Sequence, residues 1–255
     1  VSRPVALVTG ARRGIGRATC ASLAAAGYDI LGCDIDEEGV PETTAAVEAA
    51  GGSFSFRLCD LSDPGQVERL ADLAWRAGGG LEALVNNAGV GAMQRGDILD
   101  VTQNSWDRAL DVNARAPFFL SQSIARRMIG AEAPRRGPRG LVFISSANAL
   151  LMSADRAEYT ASKTAVSAVA RCFALRLAEE GIPVFEIRPG VIRTDMTAPV
   201  AARYDQRIAD GLSPIRRWGE PEDVAKAIAS LLSGAIPFST GDAFHVDGGL
   251  HLPRL

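Results

Sequence analysis

The sequence predicts an α/β protein, a single doubly wound domain over residues 1–255 in which a seven-stranded parallel sheet is flanked by helices on both faces. Three observations predict it. Short apolar runs alternate with longer helical stretches along the whole chain, the runs are continuously apolar, and a glycine-rich turn joins the first run to the first helical stretch. A strand that is apolar on both faces needs cover on both, which crossover helices of a parallel sheet provide. With 255 residues, 47% hydrophobic and 22% charged, the chain can bury one large core.

The first strand is Val5–Thr9, and an alanine-rich helix from Ile15 to Ala26 follows the turn. Further strands are predicted at Ile30–Cys33, Ser53–Leu58, Ala83–Asn86, Leu141–Ser145, Val184–Arg188 and Ala243–Val246. Between them the pattern predicts helices at Val40–Ala50, Pro64–Ala77, Ser105–Met128, Tyr159–Glu179 and Pro221–Leu232. Gly130 to Gly140 is a loop, and nothing along the chain reads as a repeat or an interdomain linker. The section from Thr194 to Ser213 breaks the alternation between a strand and the next clear helix, which makes it a candidate lid.

Composition narrows the function classes. A formal net charge of -3 gives no electrostatic reason to expect nucleic acid as a partner. The one local basic cluster, Arg135-Arg136-Gly137-Pro138-Arg139, reads as a solvated surface loop. Cys20, Cys33, Cys59 and Cys172 are widely spaced and read as apolar packing residues of a reducing compartment. No apolar run approaches the roughly 20 residues that span a bilayer, so the expectation is a cytoplasmic protein without a membrane partner. His245 and His251 are the only histidines, so no metal site is expected. Hydrolase markers of the GxSxG and HExxH types do not occur.

Three features carry chemistry. The first turn reads Thr9-Gly10-Ala11-Arg12-Arg13-Gly14-Ile15-Gly16, and between a strand and a helix such glycines leave helix amides free to face a pyrophosphate. Asp34 closes the second strand about 20 residues further on, where a carboxylate accepts bonds from ribose hydroxyls and repels a 2′-phosphate. That favours NAD over NADP. Arg12 and Arg13 are either solvated or placed to pair with a 2′-phosphate, which keeps NADP open. Asp60, ending the third strand before Leu61, either meets an adenine edge or caps the helix near Pro64.

The third feature is Tyr159 with Lys163, four residues apart, in a chain with three tyrosines and only two lysines among 27 cationic side chains. On a helix the two share one face, so a phenol and an ammonium would share one pocket or one exposed polar surface. In a pocket they form an acid/base device, because a neighbouring cation pushes a phenol toward ionisation from its usual value of about 10.

Taken in order, Thr9 to Gly16, Asp60, Asn86-Asn87-Ala88-Gly89, Asn113, Ser146, Tyr159 with Lys163, Pro189-Gly190, Thr194 and Asp247-Gly248-Gly249 resemble the short-chain dehydrogenase/reductase family over the whole chain. The resemblance implies a Rossmann-type domain and hydride transfer between a nicotinamide cofactor and a secondary alcohol or ketone. It implies that Tyr159 is the general acid/base, that Ser146 fixes the substrate oxygen, that Lys163 bonds the nicotinamide ribose and depresses the tyrosine, and that Asn113 holds a proton-relaying water. Ser145 is the rival to Ser146, and should face the other side of its strand. For the cofactor the resemblance implies Gly10, Arg12, Arg13, Gly14, Ile15 and Gly16 at the phosphates, and Asp34, Asp60, Leu61, Asn87, Ala88 and Gly89 along the adenosine. Pro189, Gly190, Ile192 and Thr194 would wall the nicotinamide beside Tyr159 and Lys163. Asn148 and Met196 join Ser146 and Tyr159 as substrate residues, in a lining that also draws on Val90, Met93, Leu150, Leu151, Met152, Val191 and Tyr204. That lining is mainly apolar, without an obvious arginine clamp.

Two other readings remain. One is an NADPH-dependent 3-oxoacyl-[acyl-carrier-protein] reductase, which Asp34 opposes and Arg12, Arg13 and Arg193 favour. The other, from a different class, is an NAD-binding sensor or scaffold without turnover, while a methyltransferase would not require the tyrosine–lysine pair. Members of the family self-associate, and the apolar tail Leu250 to Leu255 suggests burial against a neighbour, so a homotetramer or dimer is expected.

Overall fold

The computed structural model describes residues 3–77, 79–131 and 136–253; Arg135 of the basic cluster and Arg254 and Leu255 of the tail lie outside these. Seven strands form one sheet, β1 (Val5–Thr9), β2 (Asp29–Asp34), β3 (Phe54–Leu58), β4 (Ala83–Asn86), β5 (Gly140–Ile144), β6 (Val184–Pro189) and β7 (Ala243–Val246). Their order is β3-β2-β1-β4-β5-β6-β7 and every pairing is parallel. This is the doubly wound Rossmann architecture that the sequence predicts. The order reverses between β1 and β4, and ligands of such sheets bind beyond the strands' carboxyl ends at that reversal.

Alternation along each strand sorts the core into two layers. Leu7, Leu31, Leu84, Phe143 and Val184 face one side, where α3 (Pro64–Ala77), α5 (Ala116–Gly130) and α6 (Ala157–Leu177) contribute Leu70, Leu120, Ile124 and Val166. Ala6, Val8, Ile30, Val85, Val142 and Ile187 face the other, against Leu23 of α1 (Gly14–Ala25), Val47 of α2 (Val40–Ala49) and Ile228 of α8 (Pro221–Leu232). Burying each such aliphatic side chain stabilises the fold by roughly 1.5–3 kcal/mol. The outer strands depart from the continuously apolar pattern: β3 alternates in exposure and β7 is only half-buried, because an edge strand is covered less well.

Three expectations need correction. The helix predicted over Ser105–Met128 is three pieces: α4 (Gln103–Leu110), a π-helical turn over Asp111–Arg115, and α5. Thr102 starts it by accepting the amide of Ser105, and the wide turn falls on Asn113. π-Turns inside helices occur mostly where function requires a displaced side chain. The candidate lid contains a helix of its own, α7 (Ala201–Ala209), which buries Tyr204 and Ile208 against Trp218. Finally, Arg136 and Arg139 are not solvated. Arg136 pairs with the buried Glu82 at 2.9 Å, and Glu82 also accepts the amide of Val5, so this segment closes the amino-terminal end of the sheet. Arg139 donates to the carbonyl of Met128 at 2.6 Å.

Candidate active site

The glycine-rich turn has the shape a pyrophosphate requires. Gly10 takes a φ of +68°, and a methyl group on Gly16 would stand 1.8 Å from the carbonyl oxygen of Gly10. Strand and helix can approach so closely only without that side chain. Arg13 precedes α1 with no side-chain cap bond, and the first turn of α1 carries no acidic residue, so the amides around Gly14, Ile15 and Gly16 keep their donors for an anion. Asn87 braces the turn from β4, donating through Nδ2 to the carbonyls of Thr9 (2.8 Å) and Gly10 (3.0 Å). Thr9 returns the bond, its hydroxyl accepting the amides of Asn87 and Ala88. These residues fit a dinucleotide.

Asp34 stands at the mouth of this turn, and it already has a partner. Its carboxylate lies 3.3 Å from Nε of Arg12 and also accepts the Arg12 amide. Arg13 instead reaches across to Asp195, 3.0 Å away on the candidate lid. The alternatives for Asp60 separate. Asp63, not Asp60, caps α3 by accepting from the amides of Gly65 and Gln66, while Asp60 accepts from the amide and hydroxyl of Ser62. Leu61 beside it is buried.

Ser146, Tyr159, Lys163 and Asn113 come together beyond the ends of β4 and β5, all buried. Ser146 leaves β5 in extended conformation and starts a short 3-10 turn over Ala147–Ala149, its hydroxyl accepting the amide of Asn148 at 3.1 Å. Tyr159 sits buried in the first turn of α6, with the Ser146 hydroxyl near enough to pull its pKa down against the effect of burial. Ser145 points the other way, into a buried network with Glu186, Ser167 and Arg188, as the alternation of a strand demands. That removes it as a rival.

Lys163 lies one helical turn beyond Tyr159, with Nζ 5.9 Å from the phenol ring centroid and donating to the carbonyl of Ile144 at 3.0 Å. Burial brings its pKa down from 10.5 to about 8. The phenol of Tyr159 moves opposite to the sequence expectation: burial raises it above 10, and the hydroxyl of Ser146 and the charge of Arg156 offset this only in part. Desolvation therefore outweighs the neighbouring cations in the protein alone.

Asn113 is held by the π-turn with its amide committed. Oδ1 accepts the amide of Val90 (2.8 Å), and Nδ2 donates to the carbonyl of Val90 and to the hydroxyl of Ser162, each at 2.9 Å. Ser162 donates in turn to the backbone carbonyl of Tyr159, which ties the loop after β4 to α6. A methyl group on Gly89 would meet Nζ of Lys163 at 3.1 Å and Oδ1 of Asn113 at 3.2 Å, so this loop runs against both.

The residues expected to wall the nicotinamide follow β6. Pro189 ends the strand, the Gly190 amide donates to Val246, Ile192 is buried and bridges to Gly219, and Thr194 donates its amide to the Thr197 hydroxyl. Of the remaining substrate candidates, Met196 is 52% exposed on the lid, and Asn148 is buried beside Ser146. Tyr204 packs edge-on against Trp218, with centroids 5.8 Å apart.

Two groupings went unread in the sequence. Arg156 places its guanidinium 5.3 Å from the Tyr159 ring centroid and donates to Oδ1 of Asn148 at 2.8 Å. Its spacing of three residues from Tyr159 was the available signal. Arg95 and Arg203 flank Asp155 nearby, 3.8 and 3.9 Å from the same oxygen, and nothing in their sequence positions linked them. Arg156 thus lies beside Tyr159 and Asn148, an arginine that the expected lining did not include. The two histidines also converge, His251 bonding Asp247 at 2.8 Å and His245 stacked on it at 3.8 Å. Asp247 also accepts the amides of Gly249 and His251, so we read the cluster as a closed turn.

Comparison with known proteins agrees with this geometry. The enoyl-(acyl carrier protein) reductase family model matches residues 10–251. A 2-dehydro-3-deoxy-D-gluconate 5-dehydrogenase of Dickeya dadantii is 34% identical over 96% of this chain and 94% of its own. The crystal structure of a 3-oxoacyl-[acyl-carrier protein] reductase from Brucella melitensis in complex with NAD superimposes with a TM-score of 0.96, at 44% identity over all of both chains. An Agrobacterium tumefaciens protein crystallised with bound NADP has a TM-score of 0.85 and 33% identity, covering 97% of this chain and 96% of its own. This chain belongs to the short-chain dehydrogenase/reductase family, oxidoreductases that act between alcohol and carbonyl groups with a nicotinamide dinucleotide.

Proposed function

We propose that the chain is an NAD-preferring dehydrogenase/reductase of secondary alcohols and ketones in which Tyr159 is the general acid/base. The observation that carries this is the convergence of Ser146, Tyr159 and Lys163, all buried beyond the sheet's carboxyl edge with Lys163 one turn after Tyr159. The bound dinucleotide would supply or accept the hydride. Ser146 would orient the substrate oxygen, its own oxygen held by the Asn148 amide. Tyr159 would give its proton to that oxygen in reduction and recover it in oxidation. Lys163 would bond the nicotinamide ribose, and Asn113 would hold a water that relays protons between Lys163 and solvent. Assay of a panel of alcohols and ketones with both coenzymes tests this reading, and an NAD-binding protein that consumes none of them would be the sensor or scaffold instead.

For the coenzyme, Asp34 supports NAD and the NAD complex of the Brucella relative agrees. The Arg12–Asp34 pair makes the preference adjustable. Replacing Asp34 by alanine frees the guanidinium for a 2′-phosphate, so the NADP/NAD ratio of kcat/KM is expected to rise tenfold or more, about 1.4 kcal/mol. A wild type that already prefers NADP tenfold would contradict the assignment and favour the NADPH-dependent acyl-carrier reductase.

We further infer one domain with residues 194–213 as its lid, cytoplasmic placement, and a homotetramer or dimer. No helix among the described residues is long and apolar enough to cross a membrane. Phe119 on α5 and Leu175 on α6 are 49% and 83% exposed, which supports helix-to-helix association. Light scattering at micromolar concentration is expected to report a dimer or tetramer, and a monomer would refute it.

A further inference from the structure

The cleft carries a cationic site beside the reacting groups, and we propose that it takes a carboxylate of the substrate, making the preferred substrates hydroxy acids and their oxo counterparts. This rests on the alcohol–ketone reading above. Arg156 is the main ligand. It lies three residues before Tyr159, with its guanidinium over the ring whose hydroxyl would meet the reacting oxygen. Nη2 donates to Asn148 and Nε to the hydroxyl of Ser153 at 3.3 Å, which fixes the plane of the fork. Asn148 also bonds Ser146 through its amide, so one asparagine joins the guanidinium to the serine, with the Tyr159 ring beside them.

The surrounding charge points the same way. Arg95, on the loop after β4, and Arg203, on α7, both approach Asp155 Oδ2 beyond hydrogen-bond length. Arg95 and Arg203 thus share one carboxylate, which is held below its usual pKa first by the Ser153 hydroxyl and then by the charges of Arg95, Arg156 and Arg203, against the opposing effect of burial. The other buried acid nearby, Glu158, accepts the hydroxyl of Ser105 on α4 through Oε1. A substrate carboxylate would pair with this positive charge through the bidentate geometry that guanidinium favours.

The test compares matched substrates with either coenzyme: 3-hydroxybutyrate against its methyl ester, gluconate against glucitol, and longer hydroxy acids against their esters. The wild type is expected to favour the acid of a pair at least tenfold in kcat/KM. Arg156→Gln should lower that acid-to-neutral ratio on the order of 100-fold, mainly through KM, and Arg156→Lys should keep part of it. Both members of a pair use Tyr159, so any change in proton transfer divides out of the ratio. Calorimetry gives a second readout: coenzyme-loaded Tyr159→Phe protein should bind the acid, and lose that affinity when Arg156→Gln is added. An equal loss for acids and neutral partners, or turnover confined to neutral alcohols, overturns the proposal and leaves the oxidoreductase reading intact. Turnover of no member overturns both.

Discussion

Tyr159→Phe is expected to lower kcat about 10³-fold, equivalent to about 4 kcal/mol of transition-state stabilisation, while coenzyme affinity stays within threefold. The change removes one oxygen from a buried ring and leaves the packing of α6 in place. What disappears is the buried proton donor beside Ser146. Because burial holds the phenol above 10, the proton is in place throughout the neutral range, and reduction by the wild type should be flat with pH until the phenol ionises. Oxidation requires the ionised form and should rise with pH. Steady-state kinetics in both directions, with fluorescence titration of NADH, check both parts. A variant retaining wild-type turnover would remove Tyr159 from the chemistry.

Lys163→Met should act in opposite directions on activity and stability. The ammonium is buried and its pKa falls from 10.5 unfolded to about 8 folded. A depressed folded pKa contributes stability that is present above the unfolded value and lost as pH falls through the folded one. Below pH 8, therefore, keeping Lys163 charged in the fold costs about 3 kcal/mol. Its hydrogen bond to the Ile144 carbonyl returns about 1 kcal/mol of this. The methionine variant should be more stable than wild type by about 2 kcal/mol at pH 7 in urea unfolding, with the advantage gone above pH 10.5. Its turnover should nevertheless fall by at least 100-fold, since methionine cannot donate to a ribose or carry a proton. A residue retained at a cost to the fold is one selected for its chemistry. A variant that is less stable at pH 7 would show that the ammonium supports the structure.

The strands were legible because parallel strands buried on both faces leave continuous apolar runs, and each lies within a residue or two of its predicted span. The glycine turn was legible because Gly10 and Gly16 are demanded by backbone geometry. The break at Asn113 was only half-legible. A poor helix former in mid-helix marked the place, but a π-turn depends on the contacts that Asn113 makes with Val90 and Ser162, which no local pattern encodes. α7 carried a signal in Tyr204 and Ile208, four residues apart and both buried. The direction of the Tyr159 shift could not be read at all. Spacing showed that a lysine was near, whereas the outcome depends on how much water the fold removes from the phenol. Arg95 and Arg203 belong to the same class, assembled from distant segments around Asp155.

A crystal structure of the protein with bound dinucleotide and a turned-over alcohol or its inert analogue tests the central assignment most directly. The ligand's reacting oxygen should lie within about 3 Å of both the Ser146 Oγ and the Tyr159 hydroxyl, with its carbon facing the nicotinamide ring. A ligand oxygen bonded elsewhere, with Tyr159 out of reach, would contradict it.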